Sequence, residues 1–64
     1  MRLVRKEKNG TVLAFTADEL AVIGNALNES LERLEDWEFA TRMGAGKAEV
    51  EKLLGDLVRI QAEG

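Results

Sequence analysis

The first fifteen residues form two runs of mixed apolar and polar side chains, separated by Asn9-Gly10. Such runs are typical of β-strands, and Asn-Gly favours the positive φ angles of a two-residue type I′ turn. The pattern predicts a β-hairpin with strands at about 2–8 and 11–15. In this register one face holds Val4, Lys6, Leu13 and Phe15, and the other holds Leu3, Arg5, Val12 and Ala14.

The segment after the hairpin carries the signals of a helix start. Thr16 and Glu19 have the spacing of a capping box, in which each side chain bonds the backbone N–H of the other residue. Apolar residues then recur at steps of three and four, which predicts an amphipathic helix over about 17–34. Gly24 lies in this stripe, where glycine weakens a helix, so we expect close approach by another element. The stripe is Leu20, Ile23, Leu27, Leu31 and Leu34.

Two further helices are predicted at about 37–43 and 47–62. Gly44 follows the first of them, where a left-handed residue commonly ends a helix. Two helices joined by a tight glycine turn can pack at a steep angle, so the pair resembles a helix-turn-helix. The predicted fold class is α+β, an N-terminal β-hairpin followed by three helices, the last two in a helix-turn-helix-like corner. It forms one domain of residues 1–64, with the hairpin at 1–15 and the helical part at 16–64.

The predicted core collects apolar positions from every element. It includes Trp37 and Phe39 of the short second helix, which we expect to fill the gap between the first and third helices. Alternatively, Trp37 is exposed at an interface, because tryptophan is enriched at energetically important contacts. The predicted core is Val4, Leu13, Phe15, Leu20, Ile23, Leu27, Leu31, Trp37, Phe39, Val50, Leu53, Leu54 and Leu57.

Length and composition limit how such a fold is stabilised. A chain of 64 residues has a marginal core, and without Cys or His it lacks disulfides and the common zinc sites. We therefore expect a homo-oligomer, most simply a twofold dimer, with Leu3, Val12 and Ala14 of the hairpin as its interface. The lack of Cys, of a secretory signal and of a bilayer-spanning stretch favours a cytoplasmic location.

The net charge of −3 is unevenly distributed: residues 1–11 carry a net +3 and the remainder a net −6. Arg2, Arg5 and Lys6 are therefore candidates for binding an anion. The acidic cluster near the end of the first long helix is either solvated surface or a patch that faces an oppositely charged partner. The candidate partner-binding residues are Glu29, Glu32, Glu35, Asp36, Trp37 and Glu38.

Other chemistry is disfavoured by what the motifs lack. Residues 44–47 look like the end of a phosphate-binding loop, but Thr41 replaces its first glycine and Ala48 replaces the Ser or Thr after the lysine. The part of the third predicted helix that would contact DNA, residues 46–57, carries Lys47 and Lys52 against Glu49, Glu51 and Asp56, which disfavours DNA binding. Because no catalytic constellation or metal-binding pattern is evident, we expect no enzyme activity, no metal and no cofactor.

Two segments carry a more specific pattern: Ala26-Leu27-Asn28-Glu29, and Trp37-Glu38-Phe39 followed by Thr41-Arg42 and Gly44. With the helical positions around them, over about residues 15–57, they resemble the MafI-type immunity proteins of bacterial polymorphic toxin systems. The resemblance implies a non-enzymatic protein that binds and blocks a protein partner. One departure is Gly46, because such sequences usually have Ser or Thr as the cap of the last helix.

Three functions stay open on the sequence alone. The first is an inhibitory binding protein, either a toxin immunity protein or a phage-encoded blocker of a defence effector. The second is a small-ligand sponge that binds a nucleotide-like anion between subunits. The third is a DNA-binding regulator that uses the helical corner. Of these we expect the first.

Overall fold

The computed structural model describes residues 1–63 and contains a two-stranded antiparallel sheet followed by three helices. The strands are β1 (Arg2–Glu7) and β2 (Gly10–Ala14). The helices are α1 (Ala17–Arg33), α2 (Asp36–Met43) and α3 (Lys47–Glu63). The predicted α+β class and the order of its elements are confirmed, while position 64 lies outside the described residues.

Local signals fix the start of α1 and the end of α2. The Thr16 hydroxyl accepts a hydrogen bond from the Glu19 N–H at 3.1 Å, and Glu19 Oε1 accepts one from the Thr16 N–H at 2.8 Å, which completes the predicted capping box. At the C-terminal end of α2, Gly44 has a φ of 79° and its N–H donates a hydrogen bond to the Ala40 carbonyl at 2.8 Å. This is the left-handed helix ending that the sequence predicts.

The Glu19 carboxylate also joins the start of the chain to α1. It accepts hydrogen bonds from the Met1 amino group and from the Thr16 N–H. The bond from the Met1 ammonium is the main reason why the pKa of Glu19 lies below its ordinary value, and the Thr16 backbone lowers it further.

Glu19→Gln should therefore have a pH-dependent effect. A carboxylate whose pKa is lowered by folding stabilises the fold above its unfolded pKa, and this contribution is lost as the pH falls through the folded pKa. We expect the variant to melt below the wild type at neutral pH, and the difference to shrink as the pH falls below about 4.5. Thermal denaturation across pH measures this. A difference that persists unchanged at low pH would contradict the assignment; Glu51→Gln, at an exposed position, is the matched control.

The hairpin turn differs from the predicted one. Glu7 pairs with Gly10, so the two turn residues are Lys8 and Asn9 rather than Asn9 and Gly10. Among residues 1–63 only Gly44 has a positive φ, which excludes a type I′ turn. The Asn-Gly pair permits such a turn without enforcing it, and the register follows from the strand pairing as a whole.

An irregularity at Val4 changes which side chains share a face of the hairpin. Leu3 lies opposite Leu13, so both point to the same face. Val12 and Ala14 flank Leu13 along β2, so they point to the other face, where they are half-buried. Val4 lies in an irregularity of β1 and is left out of the pairing. The prediction that Leu3 shares a face with Val12 and Ala14 is therefore wrong.

The core is smaller than predicted. Within residues 1–63 only Phe39 and Val50 are buried, with 1% and 4% of their surface exposed. The predicted core residues of α1 are half-buried, since α1 packs mainly against α3 while the hairpin makes few contacts with any helix. Because no layer covers the remaining apolar positions, four predicted core residues are exposed: Val4, Leu13, Trp37 and Leu53.

The chain exposes more surface than a folded monomer of its size. Its accessible area is 5162 Å². The scaling law for monomeric proteins gives about 4,100 Å² for this mass. The radius of gyration is likewise 13.1 Å, whereas about 11 Å is usual for this length. A single copy therefore leaves apolar surface uncovered that a protein of this size ordinarily buries.

Gly24 provides a test of how closely α1 and α3 approach. A Cβ atom at this position would lie 3.9 Å from Leu54 Cδ1, which is an ordinary van der Waals contact. Gly24→Ala should therefore raise the free energy of unfolding by about 0.5–1 kcal/mol, because alanine is the better helix former. Urea denaturation measures the change. Gly44→Ala is the control and should destabilise the fold, since the φ of Gly44 is 79°. Destabilisation by both variants would contradict the distance between α1 and α3 at Gly24.

Candidate functional site

The first turn of α2 projects the chain's single tryptophan into solvent. Trp37 is 82% exposed, although Phe39, two residues later, is the most buried side chain of the described residues. Positions two apart lie about 200° apart around a helix, so a helix that buries Phe39 must expose Trp37. The predicted role of Trp37 as a plug between helices is therefore wrong, and its alternative role at an interface stays a prediction.

Trp37 lines an open groove together with Glu38, Thr41 and Arg42. Trp37 and Thr41 are four residues apart, as are Glu38 and Arg42, so two adjoining rows of α2 form the groove. Arg42 Nε lies 3.6 Å from Glu38 Oε2. The surface thus presents a broad indole beside a carboxylate, a hydroxyl and a guanidinium, which is suited to contact with another protein.

The predicted acidic cluster is partly neutralised by basic residues of the same chain. Glu32 and Glu35 have no ion pair within the described residues, and Glu32 accepts a hydrogen bond from Asn28 Nδ2 at 3.4 Å. Three ion pairs lie in the cluster: Glu29 with Arg33, Asp36 with Lys47, and Glu38 with Arg42. Exposed ion pairs contribute little stability, so the charges of these residues remain free to engage a partner.

Lys47, the first residue of α3, contacts two residues of α2. Its ammonium donates a hydrogen bond to Asp36 Oδ1 and lies 5.7 Å from the centre of the Phe39 ring. An ammonium at this distance from an aromatic face is attracted to it. In the sequence, Lys47 stands out only as part of an incomplete phosphate-binding loop, because its contact with Asp36 joins residues that are eleven positions apart.

The three basic residues predicted to bind an anion do not all share a face of the hairpin. Arg2 lies opposite Ala14 and Arg5 lies opposite Val12, so both point to the face of these two residues, whereas Lys6 lies opposite Thr11 and points to the other face. Arg5 Nε also donates a hydrogen bond to Glu7 Oε2 at 2.7 Å. All three side chains therefore cannot bind one anion on a single hairpin face.

A groove between α1 and α3 contains three amide side chains that the sequence analysis did not connect. Asn25 and Asn28 of α1 line it together with Gln61 of α3. Amides both donate and accept hydrogen bonds, so the groove can contact polar groups of either kind. Spacing on α1 indicates that the two asparagines lie near each other, but only the packing of α3 against α1 adds Gln61.

No grouping of acidic side chains between residues 1 and 63 is arranged to hold a metal ion. None of the three helices over this range has the length and apolar character needed to cross a bilayer.

Comparisons with protein families, curated proteins and solved structures found no match to this chain. The resemblance to the MafI-type immunity proteins is accordingly a hypothesis that rests on the residues quoted for it.

Proposed function

We propose that this chain is a small non-catalytic binding protein that inhibits a protein partner, and that Trp37 lies at the centre of its docking surface. The observation that carries the proposal is the 82% exposure of Trp37. Apolar surface removed from water contributes about 25 cal/mol per Å². Tryptophan is also enriched among the few interface residues that dominate binding energy. An exposed indole on a fixed helix supplies such a contact.

The charges around Trp37 favour a basic partner. Glu32 and Glu35 have no ion pair within residues 1–63, and Asp36 and Glu38 are held only by exposed or half-exposed pairs. An acidic rim accelerates encounter with a positively charged surface and rejects acidic ones. Binding of this partner should accordingly become slower as the salt concentration rises.

The resemblance to immunity proteins suggests which partner this is. It favours a toxin. A defence effector that a phage protein blocks is the second possible partner, and it would be inhibited in the same way. Both are proteins whose activity is lost when a small domain covers their working surface. Residence in the cytoplasm of a bacterium, or of a bacterium infected by a phage, belongs to the same proposal.

The two other functions have weaker support. An anion sponge needs basic side chains that converge, whereas Lys6 points away from Arg2 and Arg5, and Arg5 is already paired with Glu7. A DNA-binding regulator needs free positive charge on its reading helix. In α3, three basic side chains stand beside four acidic ones, so the helix has no net positive charge with which to neutralise phosphates.

Reconstitution from purified components tests the proposal. The tagged full chain is used to capture proteins from a lysate of its source cells, and each candidate is then produced separately and mixed with it. The proposal expects one candidate to form a stoichiometric complex and to lose its own activity on mixing. Failure of every purified candidate to bind, with a nucleotide or DNA retained instead, would overturn it.

A further inference from the structure

The hairpin and α3 each present an uncovered apolar surface. Leu3 and Leu13 form the outer hairpin face and are 51% and 40% exposed. Leu53 and Ile60 form the α3 flank and are each 51% exposed. The two residues of the flank are seven positions apart, which places them on the same side of the helix two turns from each other.

The α3 flank belongs to a row of apolar side chains along α3, part of which is buried within the chain. Val50, Leu53, Leu57 and Ile60 follow one another at steps of three, four and three, which is the spacing of a helix that packs against a second element along its length. Val50 is buried and Leu57 is half-buried, whereas the other two are exposed. Beside them, Ala45, Val50 and Leu53 are the apolar residues of an open groove that Glu49, Lys52 and Asp56 also line. The rest of the chain therefore covers only one edge of this row of apolar side chains.

Charges of opposite sign border the two surfaces. Lys6 lies on the outer hairpin face with Leu3 and Leu13, Lys8 lies at the turn, and neither has an ion-pair partner among residues 1–63. On α3, Glu49 lies one turn before the α3 flank and Glu63 lies one turn after it, and neither has a basic partner in the described part of the chain. A basic apolar strand pair thus complements an acidic apolar helix.

The charges also weigh against self-pairing of like surfaces. Two α3 flanks packed antiparallel would bring Glu49 of one copy near Glu63 of the other, and two outer hairpin faces would bring basic side chains together. Like charges in contact destabilise a complex. A contact between unlike surfaces avoids both repulsions.

The outer hairpin face is long enough to lie along the α3 flank. Five steps of a strand separate Leu3 from Lys8, a span of about 17 Å at the usual rise per residue. Fourteen steps of a helix separate Glu49 from Glu63, a span of about 21 Å. The basic turn end of the hairpin can therefore meet an acidic residue at one end of the α3 flank while Leu3 and Leu13 lie along it.

The accessible area indicates how much surface remains to be covered. The chain exposes 5162 Å², which exceeds the expectation for a monomer of its mass by about 1,100 Å². A standard stable interface removes about 800 Å² from each partner. One further contact of ordinary size would accommodate most of this excess.

We propose that the occupant of the α3 flank is the outer hairpin face of a second copy of this chain. In the resulting twofold dimer each hairpin covers the α3 flank of its partner, so the contact is made twice and the assembly closes. The dimer that the sequence predicts is retained, but its contact uses Leu3 and Leu13 against α3 and not the face of Val12 and Ala14. Trp37 is on neither surface, so the dimer leaves the proposed docking surface open.

Two single variants and their mixture test this arrangement by light scattering at micromolar concentration. Leu13→Glu places an acid against the acidic α3 flank, and Leu53→Lys places a base against the basic hairpin. We expect the wild type to have the mass of two chains and each variant alone to have the mass of one. An equimolar mixture of the variants should recover the mass of two chains, because one contact is then wild type and the other pairs Glu with Lys.

The mixture separates the reciprocal dimer from other assemblies. A dimer of hairpin with hairpin would survive Leu53→Lys, and a dimer of helix with helix would survive Leu13→Glu; either result overturns the proposal. So does a wild type that stays monomeric, or a mixture that fails to recover the dimer. Circular dichroism checks that each variant is folded, with Ile60→Lys as the replacement for an unfolded Leu53→Lys. Val22→Lys, at an exposed apolar site of α1, is the control and should leave the dimer intact.

Discussion

Phe39→Ala should destabilise the fold by about 3–5 kcal/mol, because it removes a buried aromatic ring and leaves a cavity. Phe39 is 1% exposed, and it is one of two buried residues between positions 1 and 63. A domain of this length has a total stability of roughly 3–10 kcal/mol. The variant should therefore be largely unfolded at room temperature, or melt at least about 12 °C below the wild type.

Thermal and urea denaturation at matched protein concentration measure this effect. The control is Trp37→Ala, which removes a larger aromatic side chain from the same helix but from an exposed position. Trp37→Ala should change the free energy of unfolding by about 0.5 kcal/mol or less. Equal losses from the two variants would show that α2 does not pack by the face described.

Trp37→Ala should weaken the complex with the protein partner by about 30-fold or more, which corresponds to the 2 kcal/mol that marks a dominant interface residue. The loss should arise mainly as faster dissociation, since interface truncations act chiefly on the dissociation rate. Isothermal titration calorimetry gives the affinity, and surface plasmon resonance gives the rates.

Two controls make the affinity loss specific to the α2 surface. Trp37→Phe keeps a flat apolar ring and should retain part of the affinity. Val22→Ala truncates another exposed apolar side chain, on α1, and should bind as the wild type does. Equal binding by Trp37→Ala and the wild type would remove Trp37 from the interface while leaving the question of the dimer untouched.

Features encoded by neighbouring residues could be predicted from the sequence. The capping box of Thr16 and Glu19 involves residues three apart, and it placed the start of α1 correctly. The left-handed Gly44 likewise marked the end of α2. Both signals act within one helical turn, so no knowledge of tertiary packing is needed to interpret them.

The hairpin faces could not be predicted because register depends on the whole strand pairing. Asn9-Gly10 suggested one turn, but Gly10 pairs with Glu7 as part of β2. The change of turn shifts the pairing by two residues, which leaves the faces as predicted. The irregularity at Val4 adds a shift of one residue, which reverses the side to which Leu3 points. It separated Leu3 from Val12 and Ala14, so the interface that the sequence predicts is not formed on one face.

The exposure of Trp37 was accessible to sequence reasoning in part. Phe39 and Met43 are four residues apart and both face inward, while Trp37 and Thr41 are four apart and both face outward. Helical geometry requires that only one of these rows be buried. Which of the two rows is buried depends on where α3 packs, and that is a tertiary contact that no local signal in α2 specifies.

A protein partner that covers Trp37 should shield its indole from solvent, and fluorescence quenching tests this shielding most directly. Trp37 is the only tryptophan of the chain, so with a tryptophan-free form of the partner its emission can be followed without interference. The free protein should be quenched readily by acrylamide. On addition of the partner the quenching constant should fall severalfold and the emission should shift to the blue, as the indole leaves water. Saturating partner that binds but leaves both the quenching constant and the emission unchanged would contradict the account.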